Sequence, residues 1–86
     1  MFTPEFIITE AGNYVLVANH SVETVQALEQ SIAFNRARTE YAKAHLPKHI
    51  DKCILVYDLR GQNVPPGTVE KLHSVFSDLF EVRVKS

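Results

Sequence analysis

The chain has 86 residues, of which 45% are apolar and 22% are charged, and its formal net charge is −1. This length fits one small domain over residues 1–86, and the apolar fraction excludes a disordered chain. The single cysteine excludes an internal disulfide, and no apolar run reaches the about 18 residues of a membrane span. We therefore expect no membrane partner and a cytoplasmic site of action, reached directly or by delivery within a larger exported protein.

Two short apolar runs at the start of the chain predict a β-hairpin. Residues 6–9 and 14–18 are rich in β-branched and aromatic types, which favour strands. Gly12 and Asn13 lie between them and are typical of a tight turn. The two strands are close enough in the chain to pair in antiparallel fashion.

The following segment predicts a long helix over about residues 22–45, with Ser21 as its N-cap. Apolar residues of its first half share one face, whereas those of its second half lie on a face rotated by more than ~90°. We expect either a bend near Asn35 or a second packing surface for an immunity protein, another partner or a homodimer. The residues of that second surface are Phe34, Ala37 and Tyr41.

Three further elements complete the predicted fold. Cys53–Tyr57 is an uninterrupted apolar run, typical of a strand buried on both faces. Pro65 and Pro66 open a second helix of about twelve residues, and Phe80–Val84 alternates as an outer strand does. The fold class is therefore α/β, with element order ββαβαβ and a mixed four-stranded sheet that combines an N-terminal hairpin with parallel central strands.

The carboxyl ends of the central strands predict a functional site, because ligands of parallel α/β sheets bind beyond those ends. A histidine there is suited to acid–base chemistry near neutral pH, and an arginine is suited to clamping a phosphate. The alternative for Asp58 and Arg60 is that they pair only with each other. The catalytic candidates are His20, Arg60, Asp58 and Glu5, and the binding candidates are Asn19, Ser21, Gln62 and Asn63.

Residues 36–52 carry a net charge of +3, which favours contact with phosphate groups. Arg36 and Arg38 are therefore further binding candidates, with RNA as a candidate partner. The alternative is a solvated helix end, where cations are favoured by the helix dipole. His45 and His49 have the spacing of metal ligands on a helix, but Pro47 between them breaks that geometry. We expect no metal site and no cofactor.

Three segments carry a resemblance to a known family. Pro4–Ile8 is followed by a glycine turn and a short strand, and then come Ser21–Thr24 and Ile54–Asn63. In combination they resemble the C-terminal nuclease domains of bacterial polymorphic and contact-dependent inhibition toxins. The similarity is to members with a restriction-endonuclease-like core. It implies a domain that acts on nucleic acid, for example tRNA.

The residues that carry metal-dependent cleavage in that family are only partly present. The resemblance implies that Glu5 stands in for an acidic metal ligand, whereas Leu16 and Ala18 stand where a Glu-x-Lys pair is required. Hydrocarbon side chains neither bind Mg²⁺ nor polarise water. The resemblance then implies a catalytically altered domain, or one that cleaves RNA without metal using His20 as general base and Arg60 as phosphate clamp.

A second resemblance points to a different class of function. A hairpin followed by βα units, with Asp58 and Gly61 after the central strand, is similar to STAS domains, the anti-sigma-factor antagonists. Those domains are non-catalytic protein-interaction modules that are switched by phosphorylation. Thr68 stands nearest to the position of the phosphorylated residue. The alternative function is therefore an interaction module of this type, or one bound permanently to a partner.

Overall fold

The computed structural model describes residues 7–8, 12–18, 20–46, 50 and 52–86. These residues form four strands and two helices. In chain order they are β1 (Ile7–Ile8), β2 (Tyr14–Ala18), α1 (Val25–His45), β3 (Cys53–Asp58), α2 (Thr68–Phe76) and β4 (Glu81–Lys85).

Three parallel strands form the sheet on which the fold is built. β3 lies in the centre, with Leu55 opposite Leu16 of β2 on one side and opposite Val82 of β4 on the other. Parallel neighbours need a crossover, and α1 and α2 supply the two crossovers. The unit is therefore β-α-β-α-β, which confirms the α/β class and the parallel direction of the central strands.

The predicted four-stranded mixed sheet with an N-terminal hairpin is wrong as the description of this fold. β1 has two residues, Ile7 opposite Val15 and Ile8 opposite Tyr14, and it lies antiparallel at the edge of β2. An ordinary strand has about five or six residues, so these two pairs add little to the sheet. A run of β-branched residues predicts strand propensity but not how many of those residues find a partner.

Both helices pack on the same face of the sheet. Tyr57 of β3 is hydrogen-bonded to Ser31 and Asn35 of α1, and its ring centroid lies 6.2 Å from that of Phe76 on α2. Strand residues alternate between faces, so every second residue contributes to this core. The buried strand residues on the helical face are Tyr14, Leu16, Ala18, Leu55, Tyr57 and Val82.

The long helix is continuous and buries a partly polar face. Its N-cap is Thr24, whose Oγ1 accepts a hydrogen bond from the Ala27 backbone N–H at 3.0 Å. The predicted cap, Ser21, lies three residues earlier. The bend predicted near Asn35 is wrong, since α1 runs without interruption through that residue. The buried positions of α1 are Leu28, Ser31, Asn35, Thr39 and Ala42.

The two apolar stripes predicted for the long helix have different outcomes. In the first stripe Val22 and Leu28 are buried and Ile32 packs against the core, whereas Val25 is 58% exposed. In the second stripe Phe34 and Tyr41 are 46% and 41% exposed, and Ala37 is exposed as well. The buried face of α1 also contains polar residues whose hydrogen bonds are satisfied inside the protein, which hydrophobic periodicity does not detect. Whether a partner covers the second stripe stays a prediction.

The second helix is shorter than predicted. It begins at Thr68, because Gly67 adopts a left-handed backbone with φ of 80° that ends the preceding turn. The Thr68 hydroxyl donates to Pro65 O at 2.6 Å and fixes the entry to the helix. α2 spans nine residues instead of about twelve. Neither α1 nor α2 is long and apolar enough to cross a membrane, and the described stretches contain no other candidate.

Candidate functional site

The loops that follow β2 and β3 meet at the carboxyl end of the sheet and are joined by the Gln62 side chain. Gln62 Nε2 donates to His20 O at 3.0 Å, and Oε1 accepts from the Val22 backbone N–H at 2.8 Å. Nε2 also lies 3.4 Å from Asp58 O. Parallel neighbours bring both loops to this edge. Gln62 therefore holds in place the short segment that carries His20.

An open cavity of about 320 Å³ lies beside this segment. Small-molecule sites in proteins occupy about 300–1,000 Å³, so the cavity suits one small group, such as a nucleobase or a phosphate, better than an extended ligand. Two of the candidate site residues and four residues of α1 form its wall. The lining residues are His20, Ser21, Ala27, Gln30, Ser31 and Phe34.

A hydrogen-bonded network extends from His20 into the core. His20 Nδ1 lies 3.2 Å from Ser31 Oγ, which lies 2.9 Å from the Tyr57 hydroxyl. Asn35 Nδ2 donates to the Tyr57 hydroxyl at 2.8 Å and to Ser31 O at 3.0 Å. Arg38 Nη1 donates to Asn35 Oδ1 at 2.9 Å. The network thus connects the cavity wall with a cation on the next turn of α1.

Phe34 lies between two members of this network at the protein surface. Its ring centroid is 5.2 Å from that of His20, with the two planes close to perpendicular. The Arg38 guanidinium carbon lies 5.4 Å from the Phe34 ring centroid, within the range of a cation–π contact. Because nearly half of Phe34 is exposed, it offers an aromatic surface to a ligand while its neighbours hold its position.

Burial shifts the pKa values of His20 and Tyr57, two of the titratable groups in the network, in opposite directions. It lowers the pKa of His20 below its usual value, and the nearby positive charge of Arg38 lowers it further. Burial raises the pKa of Tyr57, against the opposing effect of its hydrogen bonds with Ser31 and Asn35. Both side chains are therefore predominantly neutral at pH 7, when Tyr57 keeps its hydroxyl proton.

Asp58 and Arg60 pair with each other. Arg60 Nε and Nη2 donate to the two carboxylate oxygens of Asp58 at 2.9 and 2.8 Å, and the Arg60 backbone N–H donates to Asp58 Oδ1 at 3.2 Å. These bonds lower the pKa of Asp58 to about 2. Neither residue lines the cavity. The pair closes the turn after β3. This agrees with the alternative prediction from the sequence, that Asp58 and Arg60 pair only with each other.

The remaining candidates divide between residues that the fold already uses and residues without a described position. Arg36 donates to Asp78, to Val75 O and to Glu40 and thereby ties α1 to the end of α2. Asn63 contributes its backbone N–H to Glu23 at 3.0 Å. Glu5 and Asn19 lie outside the described residues, as does His49 of the histidine pair.

Sequence reasoning missed the polar residues of α1 that build the site. The sequence pattern gives no role to Ser31, marks Asn35 only as the place where the helix could bend, and includes Tyr57 only as part of an apolar strand. One signal was available, since Ser31, Asn35 and Thr39 recur at intervals of four and therefore share one face of a helix. A polar stripe on a helix that must pack against a sheet indicates a buried network, once the buried face is known.

The positions that would carry metal-dependent chemistry in a toxin nuclease are occupied by core residues. Leu16 is 2% exposed and Ala18 is fully buried, and both face the helices. Among the described residues, no three His, Cys, Asp or Glu side chains converge in a way that could hold a metal ion.

We compared the chain with known proteins. No protein-family model, no curated protein and no solved structure matches it significantly. The resemblances to toxin nuclease domains and to STAS domains therefore stay predictions.

Proposed function

We propose that this chain is a toxin-type, nuclease-like domain that binds RNA in the cavity beside His20 and is catalytically altered. The observation that supports this function is the arrangement of the cavity wall. The exposed ring of Phe34 and the polar residues His20 and Ser31 line the cavity, and Arg38 lies against that ring on the next turn of α1. Aromatic rings and cations side by side are the usual means of binding single-stranded nucleic acid.

Phe34 is the group suited to contact a base. Unstacked RNA bases pack on aromatic side chains, and each such contact is worth about 1–3 kcal/mol. The cavity beside Phe34 has the volume for one base. Duplex DNA keeps its bases stacked and presents no free face to such a ring, so the geometry favours single-stranded RNA or an RNA loop.

Arg38 and His20 are the groups suited to contact a phosphate. The Arg38 guanidinium has five N–H donors and directs one of them to Asn35, so it can also bind a phosphate oxygen. With a net charge of −1, the chain has no large electrostatic contribution to binding. If one phosphate is neutralised, log K falls with log[salt] at a slope of about −0.7.

Leu16 and Ala18 support loss of the family's metal-dependent cleavage. Replacing either with a carboxylate or ammonium would bury a charge against α1 and α2, which costs several kcal/mol without a partner. The fold around these positions thus suits hydrocarbon. RNA binding without hydrolysis at this position is the activity that the residues support best.

The binding experiment measures the affinity for a fluorescently labelled single-stranded RNA and for total tRNA by anisotropy and competition. We expect Phe34→Ala to weaken binding roughly 5- to 150-fold, which corresponds to the loss of one stacked base. Tyr41→Ala is the matched control, because Tyr41 is a similarly exposed ring on α1 that does not line the cavity. Equal affinities for the wild type and Phe34→Ala would refute the proposed site.

A cleavage assay with tRNA and plasmid DNA, with Mg²⁺ or with EDTA, tests the catalytic state. We expect no cleavage in either condition. If cleavage persists in EDTA and disappears in His20→Ala but not in His73→Ala, the protein is a metal-independent ribonuclease at this site, and the proposal of a catalytically altered domain is wrong. His73 suits the control because it is exposed on α2 and is not among the residues of the cavity wall.

A partner-binding module is the second candidate, and the outer face of α1 favours it. Phe34, Ala37 and Tyr41 are exposed on that face, and large exposed apolar residues close together are typical of interaction surfaces. A phosphorylation switch of the STAS type fits less well, because Thr68 is 2% exposed and its hydroxyl is bonded to Pro65 O. Sedimentation tests this candidate: a monomer at high concentration that gains no mass in a cell extract would contradict it.

A further inference from the structure

The polar network has a direction, and two neighbours of Asn35 set it. An arginine donates hydrogen bonds and cannot accept them, so the atom of Asn35 that faces Arg38 Nη1 at 2.9 Å is the amide oxygen. The amide nitrogen then faces the Tyr57 hydroxyl at 2.8 Å and Ser31 O at 3.0 Å, and this carbonyl oxygen can only accept. The orientation of the amide is thus fixed by Arg38 on one side and by the Ser31 carbonyl on the other.

The orientation of Asn35 then determines which group donates in each hydrogen bond between Asn35 and the cavity. Because Asn35 Nδ2 donates to the Tyr57 oxygen at 2.8 Å, the Tyr57 proton turns to its other described neighbour, Ser31 Oγ, at 2.9 Å. Ser31 accepts that proton and its own proton is left for His20 Nδ1, at 3.2 Å. In this series of hydrogen bonds every hydroxyl proton has one acceptor.

The opposite direction leaves one proton without an acceptor. If His20 Nδ1 carried a proton and donated to Ser31, Ser31 would donate to Tyr57. The Tyr57 proton would then meet the amide N–H of Asn35, which is a donor. Tyr57 does not relieve this conflict by ionising, because its hydroxyl is buried.

We propose that Arg38, Asn35, Tyr57 and Ser31 form a one-way hydrogen-bond relay that holds His20 in the tautomer protonated on Nε2. Nδ1 is then occupied as an acceptor, and Nε2–H is the polar group that His20 can offer to a ligand. Arg38 and Asn35 are positioning residues. Arg38 acts on the histidine through Asn35, and Asn35 acts through Tyr57 and Ser31 and also through its own amide nitrogen, a donor 3.4 Å from His20 Nδ1.

The relay determines what kind of ligand atom His20 recognises. A ring nitrogen that carries a proton donates to an acceptor, such as a phosphate oxygen or a base carbonyl, and it does not remove a proton from a hydroxyl. His20 in this state is therefore a binding group and not the general base of a ribonuclease. The inference concerns hydrogen bonds inside the protein, so it can hold or fail independently of RNA binding.

The test is a ¹⁵N NMR measurement on protein labelled in its histidine rings, recorded well above the pKa of His20. Protonated and unprotonated ring nitrogens resonate far apart, so the spectrum gives the tautomer ratio of each histidine. We expect His20 to favour Nε2–H by roughly tenfold or more, since one hydrogen bond separates the two states. A wild-type His20 protonated on Nδ1 would overturn the proposal.

Asn35→Asp is the decisive variant, because it changes a donor into an acceptor with almost no change of shape. The introduced carboxylate would accept from Tyr57, Tyr57 from Ser31, and Ser31 from His20, so the relay would reverse. We expect the major His20 tautomer to become Nδ1–H. Exposed His73 supplies the reference ratio in the same spectrum. An unchanged His20 tautomer in a folded Asn35→Asp protein would refute the relay.

Arg38 variants provide a second, independent test. Arg38→Met removes one of the two contacts that orient Asn35, while the bond to Ser31 O remains, and we expect the His20 tautomer ratio to shift part of the way toward that of His73. Arg38→Lys keeps a donor at this position and is expected to restore most of the wild-type ratio. A purely structural role of Arg38 in packing beside Phe34 predicts no difference in tautomer ratio between Met and Lys, and that result would also contradict the proposal.

Discussion

Replacing Asn35 with leucine tests whether the polar network is a single cooperative unit. Leucine has the same branching and the same number of side-chain heavy atoms, although its methyl groups are bulkier, and it is well accepted in a helix. The change therefore removes hydrogen bonds without creating a cavity or lowering helix propensity. Asn35 is fully buried and donates to the Tyr57 hydroxyl and to Ser31 O. In the variant, leucine offers no donor to these two buried acceptors.

The expected loss of stability is about 2 kcal/mol. A buried polar group that loses its partner costs about 1–3 kcal/mol. The Tyr57 hydroxyl keeps its bond to Ser31, and Arg38 is only partly buried and can turn to water, which places the cost near the middle of that range. For a domain of this size, about 2 kcal/mol lowers Tm by about 8–16 °C.

The assay is urea denaturation followed by circular dichroism, with thermal unfolding in parallel. Gln26→Leu is the matched control, because Gln26 is an exposed amide on α1, and its free energy of unfolding should change by less than about 0.5 kcal/mol. Combining Asn35→Leu with Ser31→Ala and Tyr57→Phe should recover most of the stability, since both buried hydroxyls are then absent and the carbonyl of residue 31 keeps its hydrogen bond within the helix. An Asn35→Leu protein as stable as the wild type would refute the cooperative network.

Three further changes test other parts of the site. Gln62→Ala removes the side chain that joins the two loops, and it should cost about 1–2 kcal/mol in urea denaturation and weaken RNA binding measured by anisotropy; unchanged values in both would contradict its role. Gly61→Ala should lower the free energy of unfolding by about 1 kcal/mol. There is room for the added methyl group, but the φ of 79° is unfavourable for alanine. Equal urea midpoints for the variant and the wild type would show that the turn changes conformation to avoid this strain. Asp58→Asn should lower the free energy of unfolding at pH 7. Because the pKa of Asp58 is about 2 in the folded state, the difference in unfolding free energy from the wild type should shrink below about pH 3.8, the ordinary Asp pKa, and vanish as the pH falls through about 2. A difference that persists at pH 2 would exclude the Arg60 pair as its cause.

The direction of the strands could be predicted from the sequence because it follows from connectivity. A helix between two strands that pair in one sheet makes them parallel, and this brings the loops after Ala18 and Asp58 to one edge. His20 and Gln62 could be expected there for the same reason, and they do meet. The length of β1 could not be predicted, because pairing of the first strand depends on contacts that propensity does not describe.

Hydrophobic periodicity predicts only the apolar part of the buried face of α1. The helix buries Leu28, as its first apolar stripe predicts, but it exposes Val25 and also buries Ser31 and Asn35. Periodicity assumes that each buried position gains from transfer out of water, whereas a polar residue can be buried when every donor has an acceptor. That condition depends on Tyr57, twenty-two residues beyond Asn35 in the chain, and no local pattern contains it.

The contrast between Thr39 and its two polar neighbours separates structural burial from a functional network. The Thr39 hydroxyl donates to Arg36 O within its own helix, so its burial needs no other element. Ser31 and Asn35 are instead hydrogen-bonded to Tyr57 across the interface between sheet and helix, and Ser31 is also hydrogen-bonded to His20 at the cavity. Apolar residues at those two positions, combined with phenylalanine in place of Tyr57, would pack at no greater cost. Because only the residues beside the cavity depend on distant partners, the network is better explained by the position and protonation of His20 than by stability of the fold.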